Sequence, residues 1–225
     1  MCGRYSITTP VEALARLFRS KGPALNLPPR YNVAPTQQVP IVRREHEGLT
    51  GERELAQVRW GLIPFWARTA PIGAKMINAR AEGIDEKAAF RAALKMRRCL
   101  VPADGFYEWQ AMRGRKVPWH ITSKDGKPFA FAGLWERWEK APDGVPVESC
   151  TIITTSANHL VRPLHDRMPV ILAPDDHAAW LGEDPVRDVA ELLRPYPSEA
   201  MRAYRVITAV NSVRNDGPKC IEPWD

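Results

Sequence analysis

The chain has 225 residues, of which 44% are hydrophobic and 26% are charged, a balance typical of a globular domain with a buried core. No stretch has the length and apolarity needed to span a bilayer, and the amino terminus lacks the cationic and then apolar order of a signal peptide. We therefore expect a cytoplasmic protein that does not enter a membrane. The net charge of +6 favours anionic partners, and eight tryptophans offer rings on which the bases of single-stranded nucleic acid stack.

The first half of the chain alternates regular and irregular segments. Thr9, Pro10 and Glu12 form the pattern of a capped helix start, with Thr9 as the N-cap of a helix whose apolar face continues to Phe18. A second helix is predicted over residues 85–98, where acidic residues stand at the start and basic residues at the end. Strands are predicted at 39–44 and 55–63, and irregular stretches at 25–38 and 64–83.

The second half is richer in strands. Residues 99–110 and 116–123 are predicted to pair as a hairpin across "MRGR", and Asp125-Gly126 marks a second hairpin. Runs of strands punctuated by helices, without a βαβ rhythm, indicate a single α+β domain over residues 1–225 with a largely antiparallel sheet. The remaining elements are strands at 149–157, 168–173 and 203–210 and helices at 175–182 and 185–196.

The four cysteines lie far apart, with no CxxC or metal-type spacing, so free thiols are expected. Cys99 and Cys150 fall in apolar segments and are expected to be small buried hydrophobes. Cys2 differs, because only Met1 precedes it. Aminopeptidases remove an initiator methionine when the next side chain is small. Cys2 would then carry a free α-amine beside its thiol, a combination that no internal cysteine offers.

Three other polar residues stand in segments where a plain core would be apolar. Glu108 lies between aromatic residues at the end of an apolar strand, where desolvation is expected to raise its pKa into a range useful for proton transfer. His165 has Asp166 and Arg167 beside it, and Asn78 lies in "INAR". Taken singly, these segments also fit an ion-paired edge carboxylate, a loop histidine that caps a backbone group, and a turn asparagine.

Taken together, the polar segments resemble the SRAP (SOS response-associated peptidase) family, whose members crosslink to abasic sites in DNA. The matches run in the family's order and cover nearly the whole chain, and collinear motifs of this kind are highly specific. The matching segments are "MCGRY" (1–5), "RYNVAPTQ" (30–37), "WGLIPFW" (60–66), "INARAE" (77–82), "CLVPADGFYEW" (99–109), "HDRMPVIL" (165–172) and "VNSVRNDGPKCIEP" (210–223).

The resemblance implies a catalytic set, in which the family's nucleophilic cysteine, asparagine, glutamate and histidine fall on Cys2, Asn78, Glu108 and His165. It also implies a compact α+β domain around a β-barrel-like core. The implied partner is DNA that is single-stranded or lies at a single-strand/double-strand junction. No metal or organic cofactor is implied, and a monomer is expected. The implied setting is the DNA damage (SOS) response, with the protein nucleoid-associated when bound to DNA.

The chemistry that follows is covalent capture of an abasic site. The ring-opened deoxyribose exposes an aldehyde at C1′; the Cys2 amine converts it to a Schiff base, and the thiol closes a five-membered thiazolidine. In this scheme Glu108 moves the protons, and His165 assists opening of the sugar ring and reversal of the crosslink. Asn78 positions the reacting end, because an amide does not titrate.

Cationic residues near the motifs are expected to bind DNA phosphates. Arg4 and Arg80 each lie two residues from a member of the catalytic set, which suits both to the phosphates that flank the lesion. Arg162 and Arg167 are weaker candidates for the same role.

Aromatic residues of "WGLIPFW" are the candidates for stacking on a base. Trp66 is expected in that role. Phe65 and Trp60 are expected to belong to the core instead.

Two other functions stay open. Cys2, Glu108 and His165 also fit a thiol autopeptidase, and self-cleavage is one route by which Cys2 loses Met1. A non-covalent reader of modified DNA bases would use the same pocket without forming a bond. The Cys2 amine discriminates among these functions, since a reader tolerates serine or a retained Met1 and a thiazolidine former does not.

Overall fold

The computed structural model describes residues 2–21, 25–45, 51–112, 114–183 and 188–224. The helices in these ranges are α1 (Val11–Phe18), α2 (Arg91–Met96) and α3 (His177–Leu181), and none of them is long and apolar enough to cross a membrane. The strands are β1 (Tyr5–Ile7), β2 (Ser20–Lys21), β3 (Arg30–Val33), β4 (Gln38–Arg44), β5 (Arg53–Trp60), β6 (Asn78–Arg80), β7 (Arg98–Ala103), β8 (Gly105–Met112), β9 (Arg115–Ser123), β10 (Phe129–Trp138), β11 (Val147–Ser156), β12 (Arg167–Pro169), β13 (Ile171–Leu172) and β14 (Met201–Arg205).

The strands form two sheets. The first has the order β14–β9–β8–β1–β3 and is antiparallel throughout. The second has the order β12–β11–β10–β7–β4–β5–β2, with β6 paired to β11 and β13 paired to β10. Because β5 also pairs in parallel with β11, the strands β4, β5, β7, β10 and β11 close into a mixed barrel. The predicted α+β fold with a largely antiparallel, barrel-like core and flanking helices is confirmed.

Large rings fill the core where β1 lies against the barrel. The ring of Tyr5 lies 5.4 Å from that of Trp60 and 5.9 Å from that of Phe131, both in edge-to-face geometry. Cys99 and Cys150 are fully buried in barrel strands, as predicted. Since β1 carries the start of the chain, this packing brings the amino terminus against the same core.

Asp104 marks the point where the chain leaves the second sheet for the first. Its carboxylate accepts hydrogen bonds from the backbone nitrogens and hydroxyls of Thr8 and Thr9, with the Thr9 hydroxyl at 2.6 Å. The predicted single strand over 99–110 is therefore two strands, β7 and β8, in different sheets. The predicted N-cap role of Thr9 is also wrong, because its side chain bonds Asp104 and makes no capping bond to α1.

The hairpin predicted across "MRGR" is confirmed by the pairing of β8 with β9, although position 113 lies outside the described residues. The hairpin predicted at Asp125-Gly126 is wrong. That turn leads from β9 in the first sheet to β10 in the second, so its flanking strands do not pair. The residues of a turn indicate that the chain reverses there, but they do not determine which strand the next strand pairs with.

Two predicted helices are much shorter than expected. The predicted helix over 85–98 is reduced to α2, and the one over 185–196 is reduced to a 3₁₀ turn at Val189–Leu192, with positions 184–187 outside the described residues. The stretches predicted to be irregular contain β3 and β6. Strands of three or four residues are too short for an alternating pattern to reveal them.

Candidate active site

The pairing of β1 with β8 sets the position of the amino terminus. The backbone nitrogen of Tyr107 donates to the carbonyl of Arg4 at 3.0 Å, so the residues before Arg4 run beside β8 at the level of Glu108. The Cys2 side chain is fully buried, and its sulfur lies 3.9 Å from the Arg4 carbonyl oxygen. The register of one strand pair thus brings Cys2 to Glu108.

Asn78 reaches Cys2 from the other sheet. It begins β6, which pairs in parallel with β11. Its side-chain Nδ2 donates to the backbone carbonyl of Cys2 at 2.8 Å. Its Oδ1 is buried and accepts no hydrogen bond within the described part of the chain. Asn78 therefore holds the Cys2 backbone and retains an acceptor for a further donor at the site.

Glu108 is buried, with 3% of its surface exposed. Burial raises the pKa of its carboxyl to about 7, and the negative charge of Asp166 adds to the rise. A carboxyl with this pKa is present in both protonation states near neutral pH, so it can take up a proton and return it.

The Cys2 thiol has a pKa raised well above its ordinary value, first by burial and then by the charge of Glu108. At neutral pH it is therefore a thiol and not a thiolate. Nucleophilic cysteines of thiol peptidases are instead activated by a lowered pKa, through a histidine or another nearby positive charge.

His165 ends a short loop, where its backbone nitrogen donates to the carbonyl of Val161 at 3.0 Å. Burial lowers the pKa of its ring, so the ring is neutral at neutral pH. Nδ1 lies 2.9 Å from the backbone nitrogen of Arg167, a contact that favours the neutral tautomer with its proton on Nε2. Nδ1 also lies 2.8 Å from Oδ1 of Asp166, a contact that favours a proton on Nδ1, so the two neighbours of this nitrogen stabilise different tautomers of the ring.

The loop that carries His165 lies beside β8. The Gln110 side chain donates to the carbonyl of Pro163 at 3.4 Å, and the charge of Asp166 acts on Glu108. The structure thus brings Cys2, Asn78 and Glu108 together and places the His165 loop next to them. In the described ranges, no group of three or more His, Cys, Asp or Glu residues is arranged to hold a metal ion.

The arginines predicted to bind phosphates fall into two groups. Arg80 and Arg162 are exposed, and neither side chain pairs with a carboxylate in the described ranges. Arg167 instead forms a two-pronged ion pair with Glu82, at 2.7 and 2.8 Å, and donates to the carbonyl of Thr154 at 2.6 Å. A phosphate has to share or displace this carboxylate to reach Arg167.

Arg4 is likewise held by protein groups. Its Nη1 donates to Oδ1 of Asn32 at 2.8 Å and to the carbonyl of Val210 at 3.0 Å, and its guanidinium lies 5.9 Å from the centre of the Trp109 ring. Sequence reasoning assigned no role to Asn32 or Trp109, although both stand inside quoted motifs. Their positions inside these motifs were the sequence feature that could have marked them as candidate site residues.

Trp66 and Phe65 lie at the tip of a turn, with 41% and 52% of their surfaces exposed. The exposure of Trp66 is compatible with the predicted stacking, whereas the prediction that Phe65 belongs to the core is wrong. The turn anchors itself through Ile63 and Ala67, which are both buried, and this leaves the residues between them at the surface. Trp60 is fully buried, as predicted.

Comparison with known proteins identifies the family. The family described as SOS response associated peptidase (SRAP) matches residues 1–213. The chain belongs to the SRAP family. It is 42% identical to "Abasic site processing protein YoqW" of Bacillus subtilis (strain 168), over 99% of both chains. It is 32% identical to "Abasic site processing protein HMCES" of Xenopus tropicalis, over 98% of this chain and 78% of that one.

Crystal structures of two bacterial proteins share this SRAP fold. One, from Bacteroides thetaiotaomicron, has a TM-score of 0.86 and 29% identity, and the match covers 99% of this chain and 100% of the other. Another, from Bordetella bronchiseptica, has a TM-score of 0.77 and 30% identity, with coverage of 92% and 100%. The two-sheet arrangement that surrounds Cys2 is therefore the architecture of these proteins as well.

Proposed function

We propose that this SRAP protein processes abasic sites in DNA by capturing them covalently, as a thiazolidine formed with Cys2 after removal of Met1. The observation that carries the proposal is the placement of Cys2, with its carbonyl bonded to Asn78 at 2.8 Å beside the buried carboxyl of Glu108. The names of the relatives, which are abasic site processing proteins, support the same substrate.

The first step uses the α-amine of Cys2. An α-amine has an ordinary pKa of about 7.7–8.0, so part of it is neutral near pH 7 and attacks the C1′ aldehyde. Glu108, with its pKa of about 7, accepts the proton that the amine loses and returns it to the departing hydroxyl of the carbinolamine. The products of this step are an imine and one water molecule.

The second step uses the thiol. The sulfur adds to the imine carbon, a C–S bond forms, and the thiol proton passes to the ring nitrogen, so the five-membered ring closes without loss of a further group. Ring closure is intramolecular and gains from the fixed geometry of amine and thiol on one residue. A neutral buried thiol suits this order of events, because the amine and not the sulfur makes the first attack.

His165 is assigned to the sugar. Opening of the deoxyribose ring moves one proton from the C1′ hydroxyl to the ring oxygen. In the tautomer that the Arg167 backbone nitrogen favours, the neutral imidazole carries its proton on Nε2 and can donate it to that oxygen.

The DNA strand is assigned to the cationic surface around Cys2. Arg80 and Arg162 are exposed and available to phosphates, and Trp66 offers an exposed ring to a base. Single-stranded DNA suits these contacts, because a base must be unstacked to meet an indole ring.

The raised pKa of the Cys2 thiol disfavours a thiol autopeptidase, which needs a readily formed thiolate. A non-covalent reader of modified bases is tested by the same experiment as the proposal, since it forms no adduct.

The experiment is intact mass spectrometry of the untagged protein, alone and after mixing with a single-stranded oligonucleotide that contains one abasic site. We expect a free mass that lacks Met1 and a new species at the mass of protein plus oligonucleotide minus one water, stable without borohydride. The matched control carries extra residues before Cys2, which keep the thiol and block its amine, and it should give no such species. Processed protein that forms no adduct contradicts the proposal.

Cys2→Ala and Cys99→Ala form a second matched pair, since both cysteines are fully buried. Cys2→Ala should lose the stable adduct and retain at most a slower imine that borohydride traps. Cys99→Ala should give the stable adduct as the wild type does.

A further inference from the structure

A buried side chain, that of Asn32, binds the carboxyl-terminal segment (residues 210–216) to the rest of the protein. Asn32 on β3 is fully buried, and its Nδ2 faces the carbonyls of Val210, Ser212 and Asn215 at 3.1, 3.0 and 2.8 Å. Buried amides of this kind fix a backbone because leaving them without partners is costly. The segment is therefore held in place although most of it is exposed.

Asp216 fastens the end of the same segment. Its carboxylate accepts hydrogen bonds from the backbone nitrogens of Tyr31 and Asn32, at 2.6 and 2.9 Å, and pairs with Arg30. The carboxyl-terminal segment is thus bonded to β3 at both ends.

The carboxyl-terminal segment continues the wall of the active site. Its Val210 carbonyl accepts from Arg4, which lies two residues from Cys2, and its Asn211 side chain accepts from Trp109 Nε1 at 2.7 Å. Trp109 directly follows Glu108 in β8. Through Arg4 and Trp109, the segment is therefore hydrogen-bonded to residues that neighbour Cys2 and Glu108 in the chain.

The segment presents an apolar and a cationic side chain to solvent. Val213 has 49% of its surface exposed, and Arg214 is exposed, with no ion-pair partner for its side chain in the part of the chain that the structure describes. The nearest carboxylate in sequence, Asp216, is bonded to β3 and Arg30. Because the backbone is already fixed, an anion that binds this arginine does not have to order the segment as well.

Arg214 and Arg80 are carried by parts of the chain that belong to different sheets. Arg214 belongs to the segment held by β3 of the first sheet, and Arg80 lies on β6, which pairs with β11 of the second. Cys2 lies where these sheets meet, because it precedes β1 of the first sheet and is bonded by Asn78 of the second.

We infer that the carboxyl-terminal segment binds the DNA strand on one side of the lesion, with Arg214 as a phosphate-binding residue, while Arg80 serves the strand on the other side. The inference rests on the proposed function, since it takes DNA as the ligand. It commits to the phosphate backbone because the segment offers an exposed arginine without an ion-pair partner among the described residues, while the carboxylate of Asp216 in the same segment is bonded to β3 and Arg30.

The first test measures non-covalent binding of single-stranded DNA that contains tetrahydrofuran, a stable abasic analogue without an aldehyde, at several salt concentrations. Arg214→Ala should reduce the slope of log affinity against log salt by about 0.7, the value for one lost phosphate contact on a single strand. Arg16→Ala removes an exposed arginine of α1 and should leave the slope unchanged. A wild-type slope in Arg214→Ala overturns the inference.

The second test places the analogue at either end of the oligonucleotide, so that nucleotides lie only 5′ or only 3′ of it. Arg214→Ala should weaken binding of one of the two oligonucleotides and leave the other unchanged, and Arg80→Ala should show the reverse pattern. The same pattern for both variants, or no dependence on the end, overturns the assignment to two sides.

These measurements are separable from the proposed chemistry. The analogue has no aldehyde and cannot form an imine, so its binding does not depend on the proposed chemistry. Absence of covalent capture by the wild type would contradict the proposed function, and the binding measurements would still test the role of Arg214. Arg214→Lys keeps the charge and should restore the wild-type slope, which a merely structural defect at this position would not do.

Discussion

The side-chain nitrogen of Asn78 lies 2.8 Å from the carbonyl oxygen of Cys2, two residues that are 76 positions apart in the chain. This bond joins the start of the first sheet to a short strand of the second. It fixes the backbone of Cys2, the residue proposed to react, and it leaves Asn78 Oδ1 buried without a donor in the described ranges. An amide that holds the backbone of Cys2 and offers an acceptor beside it is suited to positioning.

Asn78→Ala should slow crosslinking. Loss of one neutral hydrogen bond is worth about 0.5–1.5 kcal/mol, so we expect a rate about two- to twelvefold lower from this bond alone. Single-turnover crosslinking with saturating abasic-site DNA measures it. Gln57→Ala removes an exposed amide of β5 and should leave the rate unchanged. An unaltered rate in Asn78→Ala removes this residue from the mechanism.

Glu108→Gln should slow crosslinking by about 10²–10⁴-fold, the usual effect of removing a general acid–base group, with DNA affinity nearly unchanged. The wild-type rate should depend on pH through Glu108, with its pKa of about 7, and through the Cys2 α-amine, whose ordinary pKa is about 7.7–8.0; the variant should lose the Glu108 dependence and keep that of the amine. The pH profile of single-turnover rates measures both effects. Wild-type rates in the variant would show that another group moves the proton.

The same variant should be more stable than the wild type at high pH. The Glu108 pKa rises from its usual 4.5 to about 7 in the folded protein, so the fold favours the protonated form. Its contribution is fully present below about pH 4.5 and is lost as pH rises through 7, a difference of about 3 kcal/mol. In urea unfolding, Glu108→Gln should gain stability over the wild type at pH 8 and not at pH 4. The exposed Glu191→Gln change should show no such difference, and equal gains at both pH values would contradict the buried-carboxyl explanation.

His165→Ala should affect the natural lesion more than an opened one. If His165 serves ring opening, the variant should slow capture of a natural abasic site and leave capture of an oligonucleotide with a non-cyclising aldehyde unchanged. Glu108→Gln should slow both substrates, because its role follows ring opening. Equal slowing of both substrates by His165→Ala would place His165 at the imine step instead.

Asp104→Ala should destabilise the fold. The carboxylate accepts hydrogen bonds from Thr8 and Thr9 at the crossing between β7 and β8, and their loss should lower the free energy of unfolding by about 2–4 kcal/mol. Urea unfolding measures this effect. Asp143→Ala changes an exposed loop carboxylate and should stay within about 0.5 kcal/mol of the wild type. A similarly small effect at Asp104 would contradict the structural role given to it.

Much of the fold was predictable because its signals are local. Apolar, β-branched runs such as 149–157 became β11, and the "MRGR" turn became the link between β8 and β9. Two of the failures have a common cause, since each depended on a partner distant in the chain. The Thr9 hydroxyl donates a hydrogen bond to Asp104 and does not cap α1. The turn at Asp125-Gly126 connects β9 and β10, which belong to different sheets.

For the candidate site, too, the residue types could be predicted from the sequence and the contacts between distant residues could not. The identities of Cys2, Asn78, Glu108 and His165, the family and the presence of a cysteine behind the initiator methionine were readable from the sequence alone. The sequence did not reveal that Arg4 and Arg167 are held by Asn32 and Glu82 while Arg80 and Arg162 stand unpaired among the described residues.

The sequence by itself determined which chemical groups the protein has and which short segments form strands, because those properties depend on residue type and on neighbours within a few positions. Only the tertiary structure decided which groups meet. The bond between Asn78 and Cys2, the rise of the Glu108 pKa and the anchoring of the carboxyl-terminal segment by Asn32 all arise when two sheets bury residues far apart in the chain. Burial and long-range hydrogen bonding are properties of the packed molecule, and no local pattern encodes them.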